Sequence, residues 1–475
     1  MLAVLLVLAG GTSGLVILRP GPLAEWLDAV GAEPSPSSTP TEPTPPPVLA
    51  AIATNAPVPT AEGVQAALDV LVDESALGDR VHVSVRDVAT GAELYDRGAD
   101  VRTVPASTTK LVTAATVLAA RGPGYRIPTR VVAGASPGEV VLVGGGDPTL
   151  AKGAKGAYPG AARLDHLADQ VKKALGGTAV TKVTVDSSLF TGPEYGPGWD
   201  ADIPIIGCSG EITALMVDGA RADPKANGCS QRHRDPDLVA GRAFAKALGA
   251  PEAVVKAVAR GRAPEPSGAS ASSAGQVGAA ISPGTELARV ESPPMIRLVE
   301  FMLEDSDNVV AEALARQVAL ARGEPASFAG VANALDRVVA ELGLDPGQSD
   351  LADGSGLSRR NRLSPALLTD LLVLAANGSR PELTGLFAGL PVAGWSGTLT
   401  HRYVSPAPTA NAPGAGVVRA KTGTLTGVHS LAGVVTTADG RLLAFAVMAD
   451  DVPNGWSAPR ALDRIAARLA TCGCR

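Results

Sequence analysis

Ser107-Thr108-Thr109-Lys110 is the only place in this chain where a serine stands three residues ahead of a lysine. On a helix, positions i and i+3 share a face, so the two side chains can meet. A serine hydroxyl is a poor nucleophile until a neighbour removes its proton. Lysine can be that neighbour, because burial or a second cation makes it give up its own proton, whereas arginine stays charged. The lysines are placed sparingly. Of 41 lysines and arginines only ten are lysine; Lys110 is the sole one before Lys152, and Lys421 the sole one after Lys256. A chain that otherwise uses arginine in both flanks sets one deprotonatable cation in each.

Two further short motifs occur once each, Ser-Asp-Asn at 306–308 and Lys-Thr-Gly at 421–423. Ser-x-x-Lys alone carries little weight, because a chance match is expected in a chain of this composition. The three in this order carry much more. Catalysis is expected of Ser107 as nucleophile, Lys110 as its base, and Ser306 as a relay that hands a proton to the leaving amine. Substrate binding is expected of Asn308, through the substrate amide, and of Lys421, Thr422, Gly423 and Thr424. Lys421 would be the second cation that keeps Lys110 neutral and would also attract an anionic substrate. Gly423 would let substrate backbone approach closely, while Thr422 and Thr424 offer hydroxyls. The backbone N–H groups of Ser107 and Thr424 would stabilise a tetrahedral oxyanion. Asp353-Gly-Ser-Gly-Leu-Ser reads equally as part of this site or as a tight turn.

The elements that must position these groups are legible. VHVSVRDVATGAELYDRGAD alternates in two runs around a Thr-Gly turn, as a β-hairpin does. PASTTKLVTAATVLAARGPG reads as a helix with Pro105 near its start and a glycine stop, so Ser107 and Lys110 open it. SPPMIRLVEFMLEDSDNVVAEALARQVALARG returns to helix and places Ser306 to Asn308 in a turn between two helices. VVRAKTGTLTG reads as an edge strand, followed by HSLAGVVTTADGRLLAFAVMAD and a last helix from about Ala458. The fold class expected is α+β, an antiparallel sheet with helices packed on it. All three motifs lie outside residues 129–285, which mix short strands, turns and helices and are expected to be an inserted domain that tunes substrate access but performs no chemistry. The catalytic domain is then 61–128 and 286–475.

With 475 residues the chain exceeds what one core usually holds. Its 45% hydrophobic and 19% charged residues are a globular profile. Net charge is -6, and the absence of a basic run or stripe argues against nucleic acid as a partner. Leu2 to Leu18 is uncharged and mostly apolar, reaching roughly 26 Å as a helix, slightly short of a bilayer core. Residues 1–32 therefore read as a signal peptide or a membrane anchor; the usual positive lead is missing, which suggests a start further upstream. Residues 33–60, rich in Pro, Ser and Thr, read as an extended spacer. Apolar leader, stalk and globular body together suggest export to the cell envelope, with membrane contact at the N-terminus. The four cysteines allow three connectivities. Cys208 with Cys229 is the expected bridge, with Cys472 and Cys474 pairing locally or staying free. Their spacing lacks the paired Cys-x-x-Cys of a zinc ribbon, and no metal or cofactor is expected.

The three motifs are the set that marks penicillin-binding proteins and serine β-lactamases. The chain resembles class C, type-4 low-molecular-mass penicillin-binding proteins, the D-alanyl-D-alanine carboxypeptidase/endopeptidase family. The resemblance runs from about Glu62 to Arg468 and includes GEVVLVGGGDPTL, VDSSLFTGPEYGPGW, LADGSGLSRRNRLSP and LPVAGWSGTL. It implies the penicillin-binding, serine β-lactamase-like fold with a large insertion, because about two hundred residues separate Ser107 from Ser306. It also implies peptidoglycan stem peptides ending in D-Ala-D-Ala as substrate and covalent inhibition by β-lactams. A Ser-His-Asp hydrolase is disfavoured because none of the five histidines sits in a recognisable motif. A β-lactamase would need a base for the deacylating water, and no Glu-x-x-Leu-Asn pattern supplies one. A catalytically silent muropeptide- or β-lactam-binding envelope protein is the rival from another class.

Overall fold

The computed structural model describes residues 56–226, 228–265, 281–404 and 410–475. The expected leader at 1–32 and the expected spacer up to residue 55 lie outside them. Among the described residues no helix is long and apolar enough to cross a membrane.

The chain starts with α1 (Ala61–Val72), capped by Thr60, whose hydroxyl accepts the Gly63 N–H at 3.1 Å. The expected hairpin follows as β1 (Val81–Asp87) and β2 (Glu93–Arg97). A 3₁₀ turn at Ala106–Thr108 then runs into α2 (Thr109–Arg121), which stops at Gly122 with φ 80°. The inserted stretch contains β3 (Pro128–Ala133), β4 (Glu139–Val143), α3 (Leu164–Leu175), β5 (Lys182–Asp186), α4 (Pro236–Ala247), α5 (Glu252–Lys256), β6 (Ala259–Arg260) and β7 (Glu286–Glu291). Helices α6 (Met295–Glu304), α7 (Asn308–Ala321) and α8 (Phe328–Glu341) come next. A two-residue pair, β8 (Ser349–Asp350) with β9 (Arg362–Leu363), precedes α9 (Pro365–Ala376). The end is β10 (Val418–Leu425), β11 (Val428–Thr436), β12 (Leu442–Ala449) and α10 (Ala458–Ala470).

The main sheet has the order β10-β11-β12-β1-β2, antiparallel throughout, with β10 at its edge. Every residue of β12 is buried because both of its faces are covered. Leu443, Phe445 and Val447 join one core with α1 and α10, while Ala444, Ala446 and Met448 join another with α2 and α6 to α9. Successive strand side chains point to opposite faces, so a strand buried on both reads as an unbroken apolar run. In the second core every residue of α2 from Thr109 to Leu118 is buried. Its threonines can lie there because the backbone satisfies them: Thr113 donates to the Gly354 carbonyl at 2.6 Å and Thr116 to that of Val112 at 2.7 Å.

The insertion builds its own sheet, ordered β6-β5-β4-β3-β7. β7 pairs with β3 from Pro128↔Glu291 onward. Residues 286–291, assigned to the catalytic part from the sequence, thus pair in this sheet. The two ends of the insertion leave side by side: Ser292 N–H donates to the Ile127 carbonyl at 3.0 Å, and Ile127 N–H to the Ser292 hydroxyl at 2.8 Å.

Cys208 is bonded to Cys229, and Cys472 to Cys474. The first bridge closes a loop with a sequence separation of 21. Replacing both Cys208 and Cys229 by serine is expected to cost roughly 3 kcal/mol, the chain-entropy value for a loop of that length. A thermal melt of the double variant that matches the parent would show that the bridge adds no stability.

Candidate active site

Ser107 is positioned by a turn that alanine does not favour. Ala106 has φ 48°, in the left-handed region. The turn is held there by Thr108, whose hydroxyl donates to the Pro105 carbonyl at 2.7 Å, and by Thr109, which donates to that of Ala106 at 2.9 Å. Backbone held in a sparsely populated region by its surroundings is a common feature of active sites.

One helical turn on, Lys110 is fully buried. Its Nζ lies 3.0 Å from Ser107 Oγ, 2.6 Å from Asn308 Oδ1 and 2.6 Å from the Ser355 carbonyl. A neutral amine has two N–H donors and one lone pair. Asn308 Oδ1 and the Ser355 carbonyl are acceptors only, so they take the two hydrogens. The lone pair is left for the third neighbour, the Ser107 hydroxyl. Burial pulls the Lys110 pKa down to about 8, against the opposing pull of Asp353, Asp307 and Glu312. Desolvation is the largest cause of that shift, and Lys421, the second cation expected from the sequence, is close enough to interact with the amine. The coupling to the other lysine is felt at Lys421, pushed well below its ordinary range by burial and then by Lys110.

The second motif is in the turn between α6 and α7. Ser306 has φ 56° and accepts from Lys421 Nζ at 2.9 Å. Lys421 also donates to the Thr422 carbonyl at 2.9 Å. Asn308, expected to hold the substrate amide, has Oδ1 on Lys110 and one N–H of Nδ2 on the Cys208 carbonyl at 2.8 Å. Its Oδ1 fixes the direction of one Lys110 N–H.

β10 borders the cleft. Its outer edge is covered by residues 391–393, through Ala393 N–H to the Val418 carbonyl and Ala420 N–H to that of Pro391. No described strand pairs with that edge from Lys421 to Leu425. Unpaired strand edges accept extended peptides as an added strand. Thr422 meets the hydroxyl of Thr398 at 2.8 Å, and Thr424 is exposed. Gly423 has another reason to be glycine than substrate approach. A Cβ there would fall 2.1 Å from Ser430 Oγ and 2.8 Å from the Pro105 carbonyl. The strand lies directly against the turn that carries Ser107.

The structure therefore brings together two hydrogen-bonded groups, Ser107–Lys110–Asn308 and Ser306–Lys421, close enough for the two lysines to repel each other, beside the Thr422–Thr424 edge. It also adds residues not singled out from the sequence. Asp353-Gly-Ser-Gly-Leu-Ser is a tight turn and part of the site at once, because its Ser355 carbonyl holds Lys110. Asp307, the middle residue of the second motif, is buried and receives Arg221 Nη2 at 2.5 Å and the Tyr158 hydroxyl at 2.9 Å, with Arg232 at 3.8 Å. Trp199 donates to Asp353 at 2.8 Å. These four partners, like Cys208, come from the insertion, and all described residues belong to one unit, Pro47–Arg475. The insertion has a sheet of its own but completes the walls of the site.

The model of the D-Ala-D-Ala carboxypeptidase 3 (S13) family matches residues 64–247 and 210–471. The chain is 40% identical over 444 residues to carboxypeptidase DacB of Mycolicibacterium smegmatis, covering 91% of this chain and 90% of that one. It is 31% identical to the D-alanyl-D-alanine carboxypeptidase of Actinomadura sp., covering 85% and 84%. Its fold is that of penicillin binding protein 4 from Haemophilus influenzae, at a TM-score of 0.63 and 23% identity, covering 85% of this chain and 97% of that one. The same H. influenzae protein is also known complexed with a β-lactam, and that structure matches at a TM-score of 0.58 and 24% identity, covering 84% and 97%.

Proposed function

This chain belongs to the D-Ala-D-Ala carboxypeptidase 3 (S13) family and is a serine-type D-Ala-D-Ala carboxypeptidase; we propose that it acts through an acyl-enzyme on Ser107. The observation that carries the assignment is Lys110 Nζ, 3.0 Å from Ser107 Oγ with both of its hydrogens spoken for. A stem peptide ending in D-Ala-D-Ala lies along β10 from Lys421 to Leu425, its carboxylate drawn to Lys421 and the Thr422 and Thr424 hydroxyls. Lys110 takes the Ser107 proton as Oγ attacks the penultimate carbonyl. The Ser107 and Thr424 N–H groups stabilise the oxyanion. As the tetrahedral adduct collapses, the proton passes by way of Ser306 to the leaving amine, and water then releases the acyl group. When the leaving amine belongs to a neighbouring stem instead of a terminal D-alanine, the same steps make the reaction an endopeptidase.

A β-lactam offers the same carbonyl, but its leaving amine stays tethered, so the adduct persists. Wild type is expected to form a stable penicillin adduct at Ser107, located by peptide mass spectrometry, and Ser107→Ala none. An adduct on another serine would sink the assignment. Release of D-alanine from a stem-peptide mimic, with no turnover of penicillin, separates this reading from a silent binder and from a β-lactamase.

We also infer that the protein works outside the cytoplasm, where its substrate is, with its N-terminal segment against the membrane. All four cysteines being paired supports this, because disulfides persist in oxidising compartments. Fractionation that leaves the mature protein in the cytosol would overturn it.

A further inference from the structure

The Ser355 carbonyl anchors Lys110 only if the turn that carries it is held, and two buried carboxylates hold it. Glu312, on α7, is fully buried. Its Oε1 accepts the backbone N–H of Gly354 at 3.0 Å and of Ser355 at 2.8 Å. The Gly354 carbonyl is fixed by Thr113 of α2 at 2.6 Å. Asp353 holds the Ser355–Gly356 peptide and the end of the turn, accepting the N–H groups of Gly356 at 2.8 Å and Ser358 at 2.7 Å. Glu312 fixes the two peptides that lead into it. Gly356 has φ 86°, and a Cβ there would lie 1.9 Å from the Ala106 carbonyl, so the turn also abuts the nucleophile.

We propose that Glu312 is a positioning residue for the general base: it clamps the Gly354–Ser355 backbone so that the Ser355 carbonyl points at Lys110 Nζ and turns the amine lone pair toward Ser107. The proposal rests on Lys110 being the base, and it extends the machinery to a fourth stretch of chain. The competing explanation is that Glu312 only balances Arg316. Arg316 is likewise buried and donates to Glu312 Oε2 at 3.1 Å; it lies over the Phe328 ring at 4.3 Å, and its Nε and Nη2 have no hydrogen-bond partner. The Oε1 contacts separate the two ideas, because they face the turn and not the arginine.

The charges facing Lys110 are Asp353 from the turn, Asp307 from the loop before α7, Glu312 from α7 and Lys421 from β10. The three carboxylates favour the ammonium form, so removing one favours the free amine. Glu312→Gln keeps the shape and one acceptor oxygen but loses that charge. Glu312→Gln with Arg316→Met buries no unpaired charge and serves if the single variant does not fold.

The test is the pH profile of penicillin acylation on the full chain, with the adduct mapped. In both variants we expect the acid-side midpoint to fall by about one pH unit and the plateau rate to fall about tenfold, the scale of a disturbed general base. A midpoint and plateau equal to wild type in the single variant would overturn the proposal. So would a double variant restored to the wild-type profile, since Arg316 would then be the whole reason for Glu312. A wild-type adduct away from Ser107 would defeat the underlying reading; an adduct on Ser107 with unmoved variants defeats only this inference.

Discussion

Lys110→Arg is expected to slow acylation of Ser107 by penicillin about 10²-fold or more, the contribution of a lost general base. The size follows from the burial of Lys110. With a pKa of about 8, roughly one molecule in ten holds the free amine at pH 7, against roughly one in three thousand at the ordinary lysine value. Arginine supplies none. It also cannot imitate an amine that gives two hydrogens to Asn308 and Ser355 and keeps a lone pair for Ser107. The pH dependence has a definite sign. The active form is the deprotonated one, so acylation by wild type should climb as pH rises through about 8 and then level off. Stopped-flow labelling with a fluorescent penicillin gives both numbers. A near-normal rate in Lys110→Arg would mean that the Ser107 proton leaves by another route. Lys421→Arg should be milder, since a cation still faces the substrate carboxylate.

The sequence made the reacting groups legible because their geometry is local. Serine and lysine three apart on a helix can be read without knowing the fold, as can a Lys-Thr-Gly strand. The helix stop at Gly122 and the hairpin at Val81–Arg97 are carried by short-range signals of the same kind. What could not be read were partners distant in sequence. Glu312 reaches residues 42 and 43 positions on, and Arg221 reaches Asp307 across 86. In sequence such charges look like ordinary solvated ones, and only burial reveals them as paired. That residues 286–291 join the second sheet was hidden for a related reason. β7 reads ELARVE, a strand at the sheet's edge with only Ala288 buried, so it lacks the clean alternation that marks a half-buried strand. Gly423 was recognised as special, but its cause, the Pro105 carbonyl and Ser430 behind it, belongs to the tertiary packing.

Arg221→Met is expected to destabilise the fold by about 3 kcal/mol and to slow acylation with it, although Arg221 touches neither Ser107 nor Lys110. Breaking a buried pair leaves an uncompensated charge, which typically costs about 3–5 kcal/mol; the low end applies because Arg232 remains near Asp307. Burial alone would push the Asp307 pKa up, but Arg232 and Arg221 reverse this and hold it well below the usual carboxylate range. A carboxylate depressed in the folded state adds stability above its unfolded pKa of about 3.9, and that stability is lost as pH falls through the folded value. Without Arg221 the loss should begin at higher pH, so acid unfolding of the variant should have a raised midpoint. The catalytic effect follows from position. Asp307 accepts the N–H groups of Val309 and Val310 and stands between Ser306, which meets Lys421, and Asn308, which meets Lys110. Adding Asp307→Asn to Arg221→Met removes the stranded charge and should restore much of the stability. By the same reasoning, replacing residues 134–282 with a short linker would strip away Tyr158, Trp199, Cys208, Arg221 and Arg232 together. That variant should lose acylation even if the remainder folds, which would make the insertion a structural requirement of the site. Labelling of Ser107 at close to the normal rate in the folded deletion variant would show that the second motif keeps its shape unaided.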